Sequence, residues 1–101
     1  MTYHGIELDT PEINALCREH GMARLALFGS VLRDDFGPAS DVDVLVEFEP
    51  GRTPGIMAMA TLEQELGALL GRRVDLRTPA ELGRHIREQV LREAVTQYAQ
   101  A

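Results

Sequence analysis

Two aspartates set two residues apart, in the run Ser40-Asp41-Val42-Asp43-Val44, follow a Gly29-Ser30 pair with ten residues between Ser30 and Asp41. On a β-strand, residues i and i+2 face the same side, so both carboxylates would project together, about 7 Å apart along the strand. Two anions that close repel unless a cation sits between them. A hard, oxygen-seeking ion such as Mg²⁺ is the natural occupant, and it brings phosphates with it. Gly29 closes an apolar run and lets the backbone turn tightly and come close to a ligand. Ser30 offers a hydroxyl and an N–H to phosphate oxygens. This is the chemistry of phosphoryl or nucleotidyl transfer.

The elements that must position these groups are legible from periodicity and punctuation. Arg24 to Gly29 is a short apolar run suited to a buried strand, and Val31 to Phe36 reads as a short helical turn leading into an exit loop at residues 34–38. Asp41 to Phe48 is the clearest strand, with its valines on one face and Asp41, Asp43, Leu45 and Glu47 on the other. One face is expected to pack and the other to work. A second short strand, Arg73 to Arg77, places Val74 and Leu76 opposite Asp75. Around these strands, Thr10-Pro11-Glu12 signals a helix start, with the helix running to His20. Ile56 to Leu70 carries leucines at helical spacing, and Thr78 to Glu81 has the form of a capping box. The spacing of Ile86, Val90, Leu91, Ala94, Val95 and Tyr98 predicts a last helix over about Arg84 to Ala99. The resulting order predicts an α+β (mixed α/β) fold, a small mixed β-sheet with helices mainly on one face.

Composition narrows the partners. The chain has 101 residues, which predicts one domain spanning 1–101. A formal net charge of -6 argues against an extended nucleic-acid footprint, because phosphate backbones need a basic face. All ten basic residues are arginines, so no lysine-based phosphate loop or Schiff base exists here. With Cys17 as its one cysteine, the chain cannot form an internal disulfide or a thiolate zinc cluster. No apolar stretch reaches membrane-span length and no signal pattern opens the chain, so a cytoplasmic protein without a membrane partner is expected. His4, His20 and His85 lack metal-ligand spacing and read as surface or helix-end residues.

Gly29-Ser30, ten residues, then Asp41-x-Asp43 resembles the motif of the minimal nucleotidyltransferases of the polymerase β-like superfamily, specifically the MNT antitoxins paired with HEPN-domain toxins. The resemblance extends through Arg33, Ser40, the Val74-Asp75-Leu76 strand and the segment from Ile86 to Tyr98, covering the chain from Arg24 onward. It implies that Gly29 and Ser30 grip the β and γ phosphates of ATP and that Asp41 and Asp43 ligate Mg²⁺. It implies Asp75 as the third carboxylate, activating the acceptor hydroxyl or completing a second metal site. Arg33 would contact the triphosphate, and Ser40 would position the first aspartate or a phosphate oxygen.

What the resemblance implies for function is Mg²⁺-dependent transfer of AMP from ATP to a hydroxyl, a tyrosine, of a cognate HEPN ribonuclease toxin. The chain's size fits a core without a domain to hold the acceptor, so the acceptor would arrive on a partner surface. Two alternatives differ in class: an antitoxin that masks its toxin without catalysis, its nucleotide site vestigial, or a nucleotidyltransferase acting on a small molecule of aminoglycoside type. A homodimer or hetero-oligomer would draw on the apolar side of the last helix.

Overall fold

The computed structural model describes residues 4–34 and 36–99, so Asp35, in the expected exit loop, lies outside the described residues. Helix α1, Pro11–His20, begins as its residues dictate. The Thr10 hydroxyl accepts from the Ile13 N–H at 3.2 Å, Pro11 occupies the first helical position, and Gly21 ends the helix. Strand β1, Met22–Phe28, follows directly and runs into a short 3₁₀ helix, Gly29–Leu32. Strand β2 is Val42–Phe48, helix α2 is Ile56–Leu70, and strand β3 is Val74–Arg77. A 3₁₀ turn, Pro79–Glu81, leads to helix α3, Arg84–Glu93, and strand β4, Val95–Ala99, closes the order.

The strands form one mixed sheet in the order β3-β2-β1-β4. β1 pairs antiparallel with both β2 and β4, whereas β2 and β3 run parallel, their crossover made by α2. The parallel register sets Asp43 against Asp75, and the antiparallel one sets Phe28 against Asp43. Those two pairings bring the end of β1, the start of β2 and β3 to one place.

One face of the sheet carries the main core: Leu25 and Leu27 of β1, Val42, Val44 and Val46 of β2, and Val74 and Leu76 of β3. These pack against Ile13, Leu16 and Cys17 of α1 and Leu62 and Leu66 of α2. Each such leucine or isoleucine withdrawn from water stabilises the fold by about 1.5–3 kcal/mol. The opposite face is divided. Ala26, Phe28 and Leu45 are buried there beneath Leu82, Val90 and Ala94, so α3 lies on the side away from α1 and α2. Two of the three helices share a face, as expected, and the third covers the part of the other face that does not carry aspartates.

The end of the chain departs from the expected long helix. α3 stops at Glu93, with the Ala94 N–H closing the last turn on the Val90 carbonyl at 2.7 Å, and Val95–Ala99 pairs with β1 from Arg24 to Leu27. The reason is tertiary. Without this strand, β1 would present an open row of N–H and C=O groups along its free edge, and a Val-Thr-Gln-Tyr run rich in β-branched and aromatic residues suits the pairing.

Candidate active site

The approach of Gly29 to Asp43 defines the centre of the site. Gly29 has φ +72°, in the left-handed region, and a Cβ added there would collide with the Asp43 carboxylate. Only glycine gives both the backbone angle and the space. The next residue completes the contact, because the Ser30 N–H donates to the Asp43 carboxylate. That N–H is therefore engaged by an aspartate.

Asp43 is half-buried and its carboxyl is held above the ordinary range. Burial is the largest cause, the Asp75 charge comes next and Asp41 adds to it, while the Ser30 N–H and Arg77 pull the other way. All three sequence-derived carboxylates thus interact at this point. Asp41, at the entry to β2, faces the exposed Arg73 guanidinium at 3.7 Å. Asp75 accepts from Arg77 Nε at 2.8 Å and from its Nη2 at 3.5 Å, residues i and i+2 on one strand face.

The donor set suits a hard cation: the groups are carboxylate oxygens, and after burial the neighbouring Asp75 and Asp41 charges are what hold the Asp43 carboxyl up. The three do not close into a ready cage, however. Among the described residues no group of three or more acidic, histidine or cysteine side chains is placed to hold an ion. Mg²⁺ bound with a nucleotide commonly takes one or two carboxylates and completes its shell with phosphates and water, so the Asp41–Asp43 pair is sufficient. Asp75 would join only after exchanging its Arg77 partner.

Neither Ser40 nor Arg33 has a described side-chain contact with the three aspartates. The Ser40 hydroxyl accepts from the Gly37 N–H at 3.1 Å, and its carbonyl accepts from Arg72 Nη2 at 2.8 Å. Both contacts shape the loop that delivers Asp41. Arg33 is exposed, and its carbonyl is 2.7 Å from the His4 ring nitrogen Nε2. No described contact ties its guanidinium to the aspartates.

Two arginines matter here that the sequence reading did not single out. Arg72 also binds the Gly37 carbonyl at 2.8 Å and lies over the Phe36 ring at 4.7 Å, fixing the loop before β2. Nothing local in the sequence marks it. Arg77 had a usable signal, since the alternation that aligned Asp75 also puts Arg77 on its face. Glu47, on the same strand face as Asp43, pairs across the strands with Arg24 at 2.6 Å.

The sequence model of the family described as nucleotidyltransferase domain matches residues 13–98. The chain belongs to this family. As a nucleotidyltransferase it has a named relative in protein adenylyltransferase MntA of Thermococcus cleftensis, 43% identical over 75 residues, which are 74% of this chain and 74% of the relative. A solved structure provisionally described as a minimal nucleotidyltransferase superposes with a TM-score of 0.69 at 45% identity, covering 83% of this chain and 84% of that one. A chain from the complex of tri-AMPylated Shewanella oneidensis HEPN toxin with MNT antitoxin shares the fold, with a TM-score of 0.64 at 24% identity over 88% of this chain and 68% of that one. This nucleotidyltransferase therefore has the fold class expected from its sequence, and among the described residues no helix is long and apolar enough to cross a membrane.

Proposed function

We propose that this nucleotidyltransferase is an antitoxin that transfers AMP from ATP to a tyrosine hydroxyl of a HEPN-domain toxin in the cytoplasm. The observation that carries the reading is the seating of the Asp43 carboxylate against Gly29 and the Ser30 N–H, with Asp75 in register beside it. The 43% identical relative named as a protein adenylyltransferase supports the donor and the acceptor class.

In this reading Gly29 leaves room for the phosphates, Ser30 binds them through its hydroxyl, and Asp41 and Asp43 hold Mg²⁺. The ion, when bound, neutralises phosphate charge and makes the α-phosphorus open to attack. Asp75, turned away from Arg77, accepts the proton of the tyrosine hydroxyl. The tyrosine oxygen bonds to the α-phosphorus, and the bond from that phosphorus to the leaving pyrophosphate breaks. Arg33, exposed beyond the 3₁₀ helix, reaches the triphosphate from outside, and Ser40 contributes by holding the loop that presents Asp41.

The test is to incubate the protein with α-labelled ATP, Mg²⁺ and a HEPN-domain protein from the same genome, then locate the label by mass spectrometry. Label on a tyrosine of the acceptor, lost in Asp43→Asn and with EDTA, is the expected result. Toxin neutralisation that persists in Asp43→Asn without any label would establish masking instead.

A further inference from the structure

A cleft of about 640 Å³ opens beside Asp75, between the start of α2 and the outer edge of β3. We infer that this cleft receives the tyrosine-bearing segment of the acceptor protein, an inference that rests on the proposed adenylyl transfer and adds where its acceptor docks. The volume falls within the roughly 300–1,000 Å³ of sites that enclose a ligand group. Asp75 is the wall shared by the cleft and the catalytic centre.

Position across the sheet selects the acceptor over the nucleotide as the occupant. Gly29 and Ser30 follow β1, Asp43 lies on the neighbouring β2, and Asp75 lies on β3, the outermost strand. Phosphates gripped at Gly29-Ser30 therefore have the aspartates between them and the cleft. A hydroxyl entering from the cleft meets Asp75 first and approaches from the side opposite the phosphate grip. In-line displacement needs the attacking and leaving oxygens on opposite sides of the phosphorus.

The lining favours an aromatic side chain on a protein. Pro54, Met59 and Leu76 supply apolar wall for a ring. The carboxylates of Glu63 and Glu81 are already used, accepting from the Leu76 N–H at 2.8 Å and the Thr78 N–H at 3.0 Å. Because Glu63 covers that edge amide of β3, the acceptor inserts a side chain rather than adding a strand there. Ile56, which lines the cleft, is 90% exposed, and the next residue in the first turn of α2, Met57, is 84% exposed. A protein surface would cover this apolar pair, whereas a small polar acceptor in the cleft would leave it in water.

The experiment uses the full chain and the variants Ile56→Glu and Met57→Glu. Both positions are open to solvent, and an acid in the first turn of a helix complements its dipole, so folding is preserved. With the HEPN-domain acceptor, each variant is expected to raise KM for the acceptor at least tenfold and to leave the calorimetric affinity for Mg²⁺-ATP within twofold of wild type. Unchanged KM in both variants would overturn the assignment, and so would a parallel loss of Mg²⁺-ATP affinity, which would give the cleft to the nucleotide. Failure of the wild type to label the acceptor would instead refute the adenylyl-transfer reading itself. A second measurement needs no variant: with methyl-labelled methionine, adding the acceptor should shift the Met59 resonance and leave that of Met22, buried in the core, in place. An unmoved Met59 would also overturn the proposal.

Discussion

Replacing Gly29 with alanine separates two costs that the fold places at one residue. The first is conformational: an L-residue in the left-handed region costs about 1–2 kcal/mol. In a domain of this size that lowers Tm by roughly 4–16 °C. The second is positional, because the new methyl group would overlap the Asp43 carboxylate and force it away. Displacing a reacting group by about 1 Å can cost on the order of 100-fold in rate. Gly51 provides the control. Its φ is +78°, nearly the same, but a Cβ there meets nothing within 4 Å. Gly29→Ala and Gly51→Ala are therefore expected to lose similar stability in urea or thermal melts, while Gly29→Ala alone loses about two orders of magnitude in label transfer from α-labelled ATP. Wild-type transfer by Gly29→Ala would refute the reasoning, as would an equal loss in Gly51→Ala, which would trace the effect to stability rather than to Asp43.

Asp43 also predicts a pH dependence in the metal-free protein. Its carboxyl is raised in the fold, so the folded chain keeps the proton after the unfolded chain has released it. Stability accordingly falls as pH rises from the unfolded value through the folded one, and the cost is fully present above both. Urea melts across the acidic range should show Asp43→Asn more stable than wild type at neutral pH, with the difference closing in acid; a difference independent of pH would contradict this. Cys17 is fully buried, and burial pushes its thiol up to about 11. Iodoacetamide at pH 8 should leave it intact in the native protein and modify it in urea, as read by mass spectrometry. Leu27→Ala should cost about 2–5 kcal/mol in denaturant melts, because Leu27 is wholly enclosed by the main core.

How far the sequence could be read depended on the range of the interactions involved. Alternation alone puts Asp41 and Asp43 on one face of a strand, whereas Asp75 joins them only through the family resemblance, and the register of β2 with β3 places Asp43 opposite Asp75. Thr10 and Glu81 also act locally, within three residues of the groups they bind. Leu45 was harder to read. It shares the face of Asp43, but it is buried with Ala26 and Phe28 under α3, so the expected working face is polar at one end and packed at the other. That division depends on a helix almost forty residues further along the chain.

The segment after Glu93 shows why periodicity alone could not decide the last element. Ile86, Val90 and Ala94 follow one another at four-residue spacing, and Val95 and Tyr98 continue a helical pattern well enough to hide the change of structure. Its β-branched and aromatic residues allow a strand equally well, and the deciding group is elsewhere: β1 has an edge that β2 does not cover, and β4 covers it. This pairing has a consequence for the site. β1 carries Gly29 at its end and is held on both sides, by β2 and by β4, so the turn that receives Asp43 is anchored to the central strand pair. Asp75 instead lies on the outermost strand, beside the open cleft and held by a half-exposed arginine. In the proposed reading, the phosphate-facing half of the site is thus built on the interior of the sheet. The half proposed to face the acceptor lies at its rim, where a second protein would approach without disturbing the core.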